Sequence, residues 1–240
     1  MRKITFIISI LTYSTFFINA QNNIDNSRQL NDSLLTQLRK GSSDLSIILD
    51  LHKHNKTLSE DSLNKLFLIS NQNYRDKIKA ENIMLDIKLR EIYLSDQIYR
   101  NKCYFHQTIK YNVVQSNDSL LQIKFIDLIP DHRKINMFQN EIYQMTFDML
   151  LIHSVATLNT NFFKNNFHIY SNAFSNNFSE FGDLKGLIDI YLKFKYNKQY
   201  FDTEWGKGRL DNKSFGFLPK ITKDELDSIL ADLKVIDPKY

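Results

Sequence analysis

Between Glu81 and Lys102 the apolar positions repeat on two faces of one long helix. At about 100° of rotation per residue, Ile83, Ile87, Leu94 and Ile98 fall on one arc, with Met84 beside them. Leu85, Leu89, Ile92 and Tyr99 fall on a second arc, roughly opposite. A surface helix carries one apolar stripe, so two opposed stripes predict neighbours on both sides. Asp86, Arg90 and Gln97 occupy a polar strip between the arcs, while Asp96 projects beside Leu85 and Leu89 and Glu91 lands near the first stripe. Arg100 follows Asp96 at the i,i+4 spacing at which a carboxylate and a guanidinium meet. A carboxylate at the edge of a core needs such a partner, because an unpaired buried charge is costly.

Helical periodicity recurs along most of the chain. Asn31 to Lys40 ends at Gly41, a glycine stop, and Ser43 to Lys53 repeats the pattern. Thr57 to Glu60 reads as a capping box ahead of Leu63, Leu66, Phe67 and Ile69. His52 and His54 are two residues apart and are expected to be solvated at a helix end rather than to bind a metal. Tyr104 to Val114 is expected to be a helical continuation or an irregular link. Asp118 is expected to open a helix that Pro130 ends, and Asp131 to Lys134 is a charged loop.

Phe138 to Leu158 is the most apolar helix after the N-terminus, with Ile142, Thr146, Met149, His153 and Ala156 on one arc. Phe163, Phe167, Tyr170 and Phe174 keep helical spacing, which predicts core rather than a stacking platform for bases. Ser179 or Asp183 is expected to cap the next helix, with Leu187, Ile190, Tyr191 and Phe194 as its buried stripe and Asn197 as a left-handed end. Gly206-Lys207-Gly208 lacks the spacing of a phosphate loop and is expected to be a turn. Lys213 to Pro219 is expected to be a loop, and Thr222 to Glu225 a second capping box opening the last helix.

The N-terminus changes the picture. Arg2 and Lys3 precede an uncharged apolar run from Ile4 to Ile18, and Asn19-Ala20 offers a cut before Gln21. These are the parts of a secretory signal peptide over residues 1–20. The run is shorter than the roughly 20 residues of a membrane helix, so cleavage is preferred to an anchor. No cysteine follows the cut, which argues against a lipid anchor. The expected product is an exported, periplasmic or extracellular protein with no membrane span after cleavage.

Loss of Arg2 and Lys3 takes the formal charge from +4 to +2. That field is too weak to imply nucleic acid as a partner. Cys103 is the one cysteine, so an internal disulfide is excluded and the fold must rest on its core. The paired Cys/His spacings of a zinc site are absent, and no metal or cofactor is expected. The sequons at Asn31, Asn55, Asn117, Asn177 and Asn212 are what an Asn-rich chain produces by chance.

Four short motifs occur in order: Asp96-Gln97-x-x-Arg100, a helix from Asp118 to a proline, Leu-Leu-Ile-His-Ser around His153, and the block from Leu187 to Thr203. Together they resemble a bacterial domain family of unknown function, over roughly Asn82 to Thr203. That family carries DQ-x-x-R, then Gln-His in an apolar helix, then an Ile-Asp-Arg helix leading to G-x-x-Q-x-Y/F-G-T. The resemblance implies Asp96, Gln97, Arg100, His153, Asp189, Gln199 and Thr203 as its shared positions. This chain departs from the pattern with Ile152, Ile190, Asn197 and Asp202 in place of Gln, Arg, Gly and Gly. The family brings no reaction.

The expected fold is all-α: an irregular multi-helix bundle around a buried central helix at about 81–102. Residues 21–80 form an N-terminal helical extension and 81–240 the main helical domain. Two readings of function stand. In one, Asp96, Arg100 and His153 are catalytic candidates, and Gln97, Asp189, Gln199 and Thr203 ligand-binding ones, around a polar pocket. In the other, the same residues are structural pairs in a non-catalytic envelope or extracellular interaction protein. A small molecule or a protein is the expected partner. No nucleophile–base pair or cofactor loop is evident, so no reaction is named.

Overall fold

A computed structural model describes residues 31–78, 83–129, 140–156, 160–173, 182–203, 207–210 and 214–240. The signal peptide, the Asp131–Lys134 loop, Ser179 as a cap and Gly206 lie outside these residues, as does the side chain of Asp183. The described part is helical, as expected, apart from one small hairpin. It divides into two compact units, Met1–Ile83 with Tyr104–His106, and Met84–Cys103 with Gln107–Tyr240.

The first unit holds α1 (31–39), α2 (Leu45–His54) and α3 (Glu60–Lys77). Gly41 stops α1 with φ +95°, and its neighbour Ser42 donates its N–H back to Gln37 O. A residue with a Cβ is strained there, so the glycine closes the helix. Asp44 caps α2 by accepting from Ser46 N at 2.8 Å. The cap of α3 is Ser59, accepting from Ser62 N, and not Thr57, which bonds Asn55 instead. Asn73 donates to Leu38 O and Ser42 O, so α3 closes over the α1–α2 corner. His52 is buried, contrary to the expectation of a solvated residue. It lies one turn after Ile48, on the apolar face, and its ring centroid is 4.7 Å from that of His106. His54 faces outward.

The second unit holds α4 (Ile83–Tyr104), α5 (Tyr111–Leu128), α6 (Glu141–Ala156), α7 (Thr160–Ala173), α8 (Gly182–Tyr196) and α9 (Lys223–Asp232). Helix α4 buries Leu89 and Ile92 from one arc and Leu94 from the other. Its polar strip also turns inward: Asp86 and Arg90 are buried, and Asn140 bonds Asp86. Glu91, expected near the core, is exposed. An irregular link separates α4 from α5. Helix α5 begins at Tyr111, so Asp118 does not open it but sits in its middle, fully buried. Its C-cap is Ile129, immediately before Pro130, where a helix is disfavoured.

Helix α6 packs against α5, α7 and α8. Aromatic rings join these helices. Phe125 of α5 stacks on Phe147 of α6 at 5.4 Å, and Phe163 of α7 stacks on Tyr191 of α8 at 4.9 Å. Phe147 also meets Tyr170 at 6.1 Å. Such pairs add roughly 1 kcal/mol each beyond area burial, so the aromatic run of α7 is core, as its spacing indicates.

Asn197, at φ +53°, ends α8. Beyond it β1 (Lys207–Leu210) and β2 (Ser214–Phe217) pair antiparallel, with Lys207 opposite Phe217 and Leu210 opposite Ser214. This corrects the turn expected at Lys207-Gly208 and the loop expected over 213–219; strands this short leave too few residues for a period-two signal. Thr222 and Glu225 make a reciprocal capping box on α9. Among the described residues no helix is long and apolar enough to cross a membrane.

Candidate functional site

Asp96 and Arg100 meet within α4, Nε to Oδ2 at 3.1 Å. Helix α6 brings the third member. The Thr146 hydroxyl lies 3.4 Å from Leu89 O, and seven residues further along each helix His153 Nδ1 lies 3.0 Å from Asp96 Oδ1. Both contacts span 57 residues of sequence, so α4 and α6 run parallel in register. Seven residues are close to two turns and return each helix to the same face. The arc through Thr146 and His153 is therefore the face that meets α4.

Helix α5 supplies a fourth member, which the sequence reading placed at the start of a helix and not among the site residues. Arg100 Nη2 donates to both carboxyl oxygens of Asp118, each at 3.0 Å. Gln97 Nε2 donates to Asp96 Oδ2 at 2.9 Å. Asp118 was legible in principle, because Val114, Asp118, Leu121 and Phe125 share one helical stripe and all are buried. Its acidic side chain suggested a cap and hid that spacing.

The Asp96 and Asp118 side chains are sealed, with 0% exposure, whereas Arg100 and His153 keep 12% and 15%. The two carboxyls differ in protonation. Burial pushes the Asp96 carboxyl up, but the hydrogen bond and charge of His153 and the charge of Arg100 outweigh it and hold Asp96 below the ordinary range. Burial pushes Asp118 up to about 7, against the pull of Arg100 and with added repulsion from Asp96. Asp118 is thus half-protonated near neutrality beside an ionised Asp96.

His153 Nδ1 is near both Arg100 Nε, at 3.2 Å, and Asp96 Oδ1. Arg100 Nε already has Asp96 Oδ2 as acceptor. The arrangement that satisfies all three groups places a hydrogen on Nδ1 and donates it to Asp96. In the neutral ring Nε2 is then the basic nitrogen. Asp96, Asp118 and His153 also offer two oxygens and one nitrogen within 4.8 Å of one another, a donor set suited to a divalent transition metal. Arg100 already donates to both carboxyls, so a metal would have to displace its guanidinium.

Asp189, Gln199 and Thr203 do not join this group in any hydrogen bond; Asp189, at the middle of α8, holds the chain that follows the helix, and Gln199 pairs that chain with the segment before α9. Asp189 Oδ1 accepts from Tyr200 N and Phe201 N, and Oδ2 from Thr203 N and Oγ1, all between 2.8 and 3.0 Å. Gln199 pairs with the segment before α9, its N–H bonding Pro219 O and its side chain Leu218 O. Gln199 is therefore not among the quartet's partners, and Asp189 and Thr203 are a local clasp. No family model matches the chain, and no curated protein and no solved structure is significantly similar to it.

Proposed function

We propose that Asp96, Arg100, Asp118 and His153 form an acid–base site in an exported protein. The observation that carries this reading is the pair of carboxyls under one arginine, one ionised and one titrating near 7. Environments that push two carboxyls apart assign them different roles. Asp96 orients the imidazole, and Gln97 and Arg100 hold Asp96. His153 Nε2 takes a proton from a substrate, and Asp118 holds one near neutrality.

Charge supports the same scheme. Asp96 and Asp118 face Arg100 and the His153 ring, so the two acids lie against the two basic groups of the cluster. The resemblance to the uncharacterised domain family supplies Asp96, Gln97, Arg100 and His153 as shared positions and adds no reaction. The N-terminal pattern supports export to the periplasm or the extracellular space.

The test is stability of His153→Gln and Asp118→Asn beside the parent at pH 7.5. Unchanged or raised stability marks residues kept at a cost to the fold, as site residues often are. Losses of about 2–4 kcal/mol in both would mark a structural network and end this reading. A substrate screen with ester, amide and glycoside probes, run with His153→Gln as control, then identifies the bond acted on.

One observation favours the interaction-protein reading. Leu120, Ile123 and Ile126 follow one another at three-residue steps on α5 and are 50%, 57% and 41% exposed. Exposed apolar clusters of this kind mark contact surfaces.

A further inference from the structure

Three Asn-x-Ser/Thr sequences fall on described residues, at Asn31, Asn55 and Asn117; those at Asn177 and Asn212 lie outside them. An Asn-rich chain produces such sequences by chance, so their setting in the fold decides which can be used. Asn31 and Ser33 both lie inside α1, and Asn117 and Ser119 both lie inside α5. Residues two apart on a helix do not face each other. The Ser119 hydroxyl accordingly donates to Gln115 O at 3.2 Å, and Asn117 is buried.

Asn55 stands differently. It is the C-cap of α2, and the chain turns there, Leu58 N donating to Asn55 O at 3.1 Å. The side chain closes over the same turn. Asn55 Oδ1 accepts from Thr57 N at 3.2 Å and from Thr57 Oγ1 at 2.9 Å. Among the described residues nothing accepts from Asn55 Nδ2. Asn55 is half-buried, and Lys53, His54, Lys56 and Thr57 around it are exposed. A bulky hydrophilic group added at this surface turn stays out of the core.

The hydroxyl of Thr57 has a chemical consequence. A carboxamide nitrogen is a poor nucleophile, because its lone pair is delocalised into the carbonyl. Donors aimed at Oδ1 stabilise the negative charge that gathers there when Nδ2 loses a proton, and the lone pair then becomes available. Thr57 supplies two such donors in the folded turn. We propose that Asn55 is an N-glycosylation acceptor, taking its sugar from a lipid-linked oligosaccharide diphosphate during export. Nδ2 bonds the anomeric carbon, and the bond from that carbon to the diphosphate oxygen breaks. The diphosphate leaves with the electron pair, and the amide proton passes to a base of the transferring enzyme. The proposal rests on the export reading and not on the acid–base site.

The test is peptide mass mapping of the protein recovered from its own cells, before and after an amidase that splits the bond between asparagine and sugar. A hexosamine-containing mass is expected on the peptide bearing Asn55, with none on that bearing Asn117. The amidase is expected to remove it and leave a carboxylate at position 55. Thr57→Val removes the hydroxyl and keeps the backbone N–H, and its occupancy is expected to fall about tenfold or more. Thr57→Ser, which restores the hydroxyl, is expected to keep most of it. Residue 57 is exposed, so both variants are expected to fold as the parent does. The N-terminus of the same sample reports cleavage after Ala20. A cleaved chain without sugar at Asn55 would overturn this proposal alone, and an uncleaved, unmodified chain would overturn the export reading with it. Unchanged occupancy in Thr57→Val, or sugar at Asn117 instead of Asn55, would also overturn the proposal.

Discussion

His153 Nδ1 lies 3.0 Å from Asp96 Oδ1, two helical turns along the same parallel seam on which Thr146 reaches the Leu89 carbonyl. Register between α4 and α6 thus decides whether the imidazole meets the carboxylate. Asp96 is the anchor of the group, accepting from Arg100, Gln97 and His153 while sealed from water. Asp96→Asn leaves the guanidinium of Arg100 short of a counter-charge. We expect a loss of about 3–5 kcal/mol in urea denaturation at pH 7.5. A loss below about 1 kcal/mol would show that the seam does not depend on the charge.

Asp118 makes stability fall as pH rises. Its folded pKa, about 7, lies above that of an unfolded aspartate. Its contribution is therefore full below pH ~4 and is lost as pH rises to ~7, by up to about 4 kcal/mol. Asp96 has the opposite sign: its lowered pKa makes stability fall below pH ~4. The parent is expected to be more stable at pH 5 than at pH 8, and Asp118→Asn to remove that slope. Equal pH slopes in parent and variant would contradict the assignment.

Asp189 is expected to behave as structure. It is fully buried and accepts four hydrogen bonds from Tyr200, Phe201 and Thr203. Asp189→Ala leaves four part-buried donors without their acceptor and should cost about 3 kcal/mol, at about 1 kcal/mol per orphaned group. Hydrogen exchange should rise at Tyr200, Phe201 and Thr203 with little change at His153. Increased exchange around His153 instead would show that the clasp supports the site.

Gly41→Ala meets no steric obstacle, since nothing lies within 4 Å of the added Cβ. Its φ of +95° remains unsuited to an L side chain. A loss of about 1 kcal/mol is expected in thermal denaturation. A gain would mean that the chain adopts another path between α1 and α2.

Much of this protein is legible in its sequence. The two stripes of α4, the Asp96–Arg100 spacing, the aromatic face of α7, Gly41, Asn197 and the Thr222 cap all depend on neighbours within one or two turns. Helical period and backbone sterics act at that range, so residue order alone specifies them. The seam between α4 and α6, the place of Asp118 and the separation of Gln199 from the quartet depend on contacts between residues 18 to 57 or more positions apart. Periodicity states that a helix has a buried face; it does not state which helix covers it or at what register. Packing decided that Asp118, by type a cap residue, lies inside α5 against Arg100. It also decided that His52 turns inward onto His106, and that Asp189 closes a loop instead of lining the site.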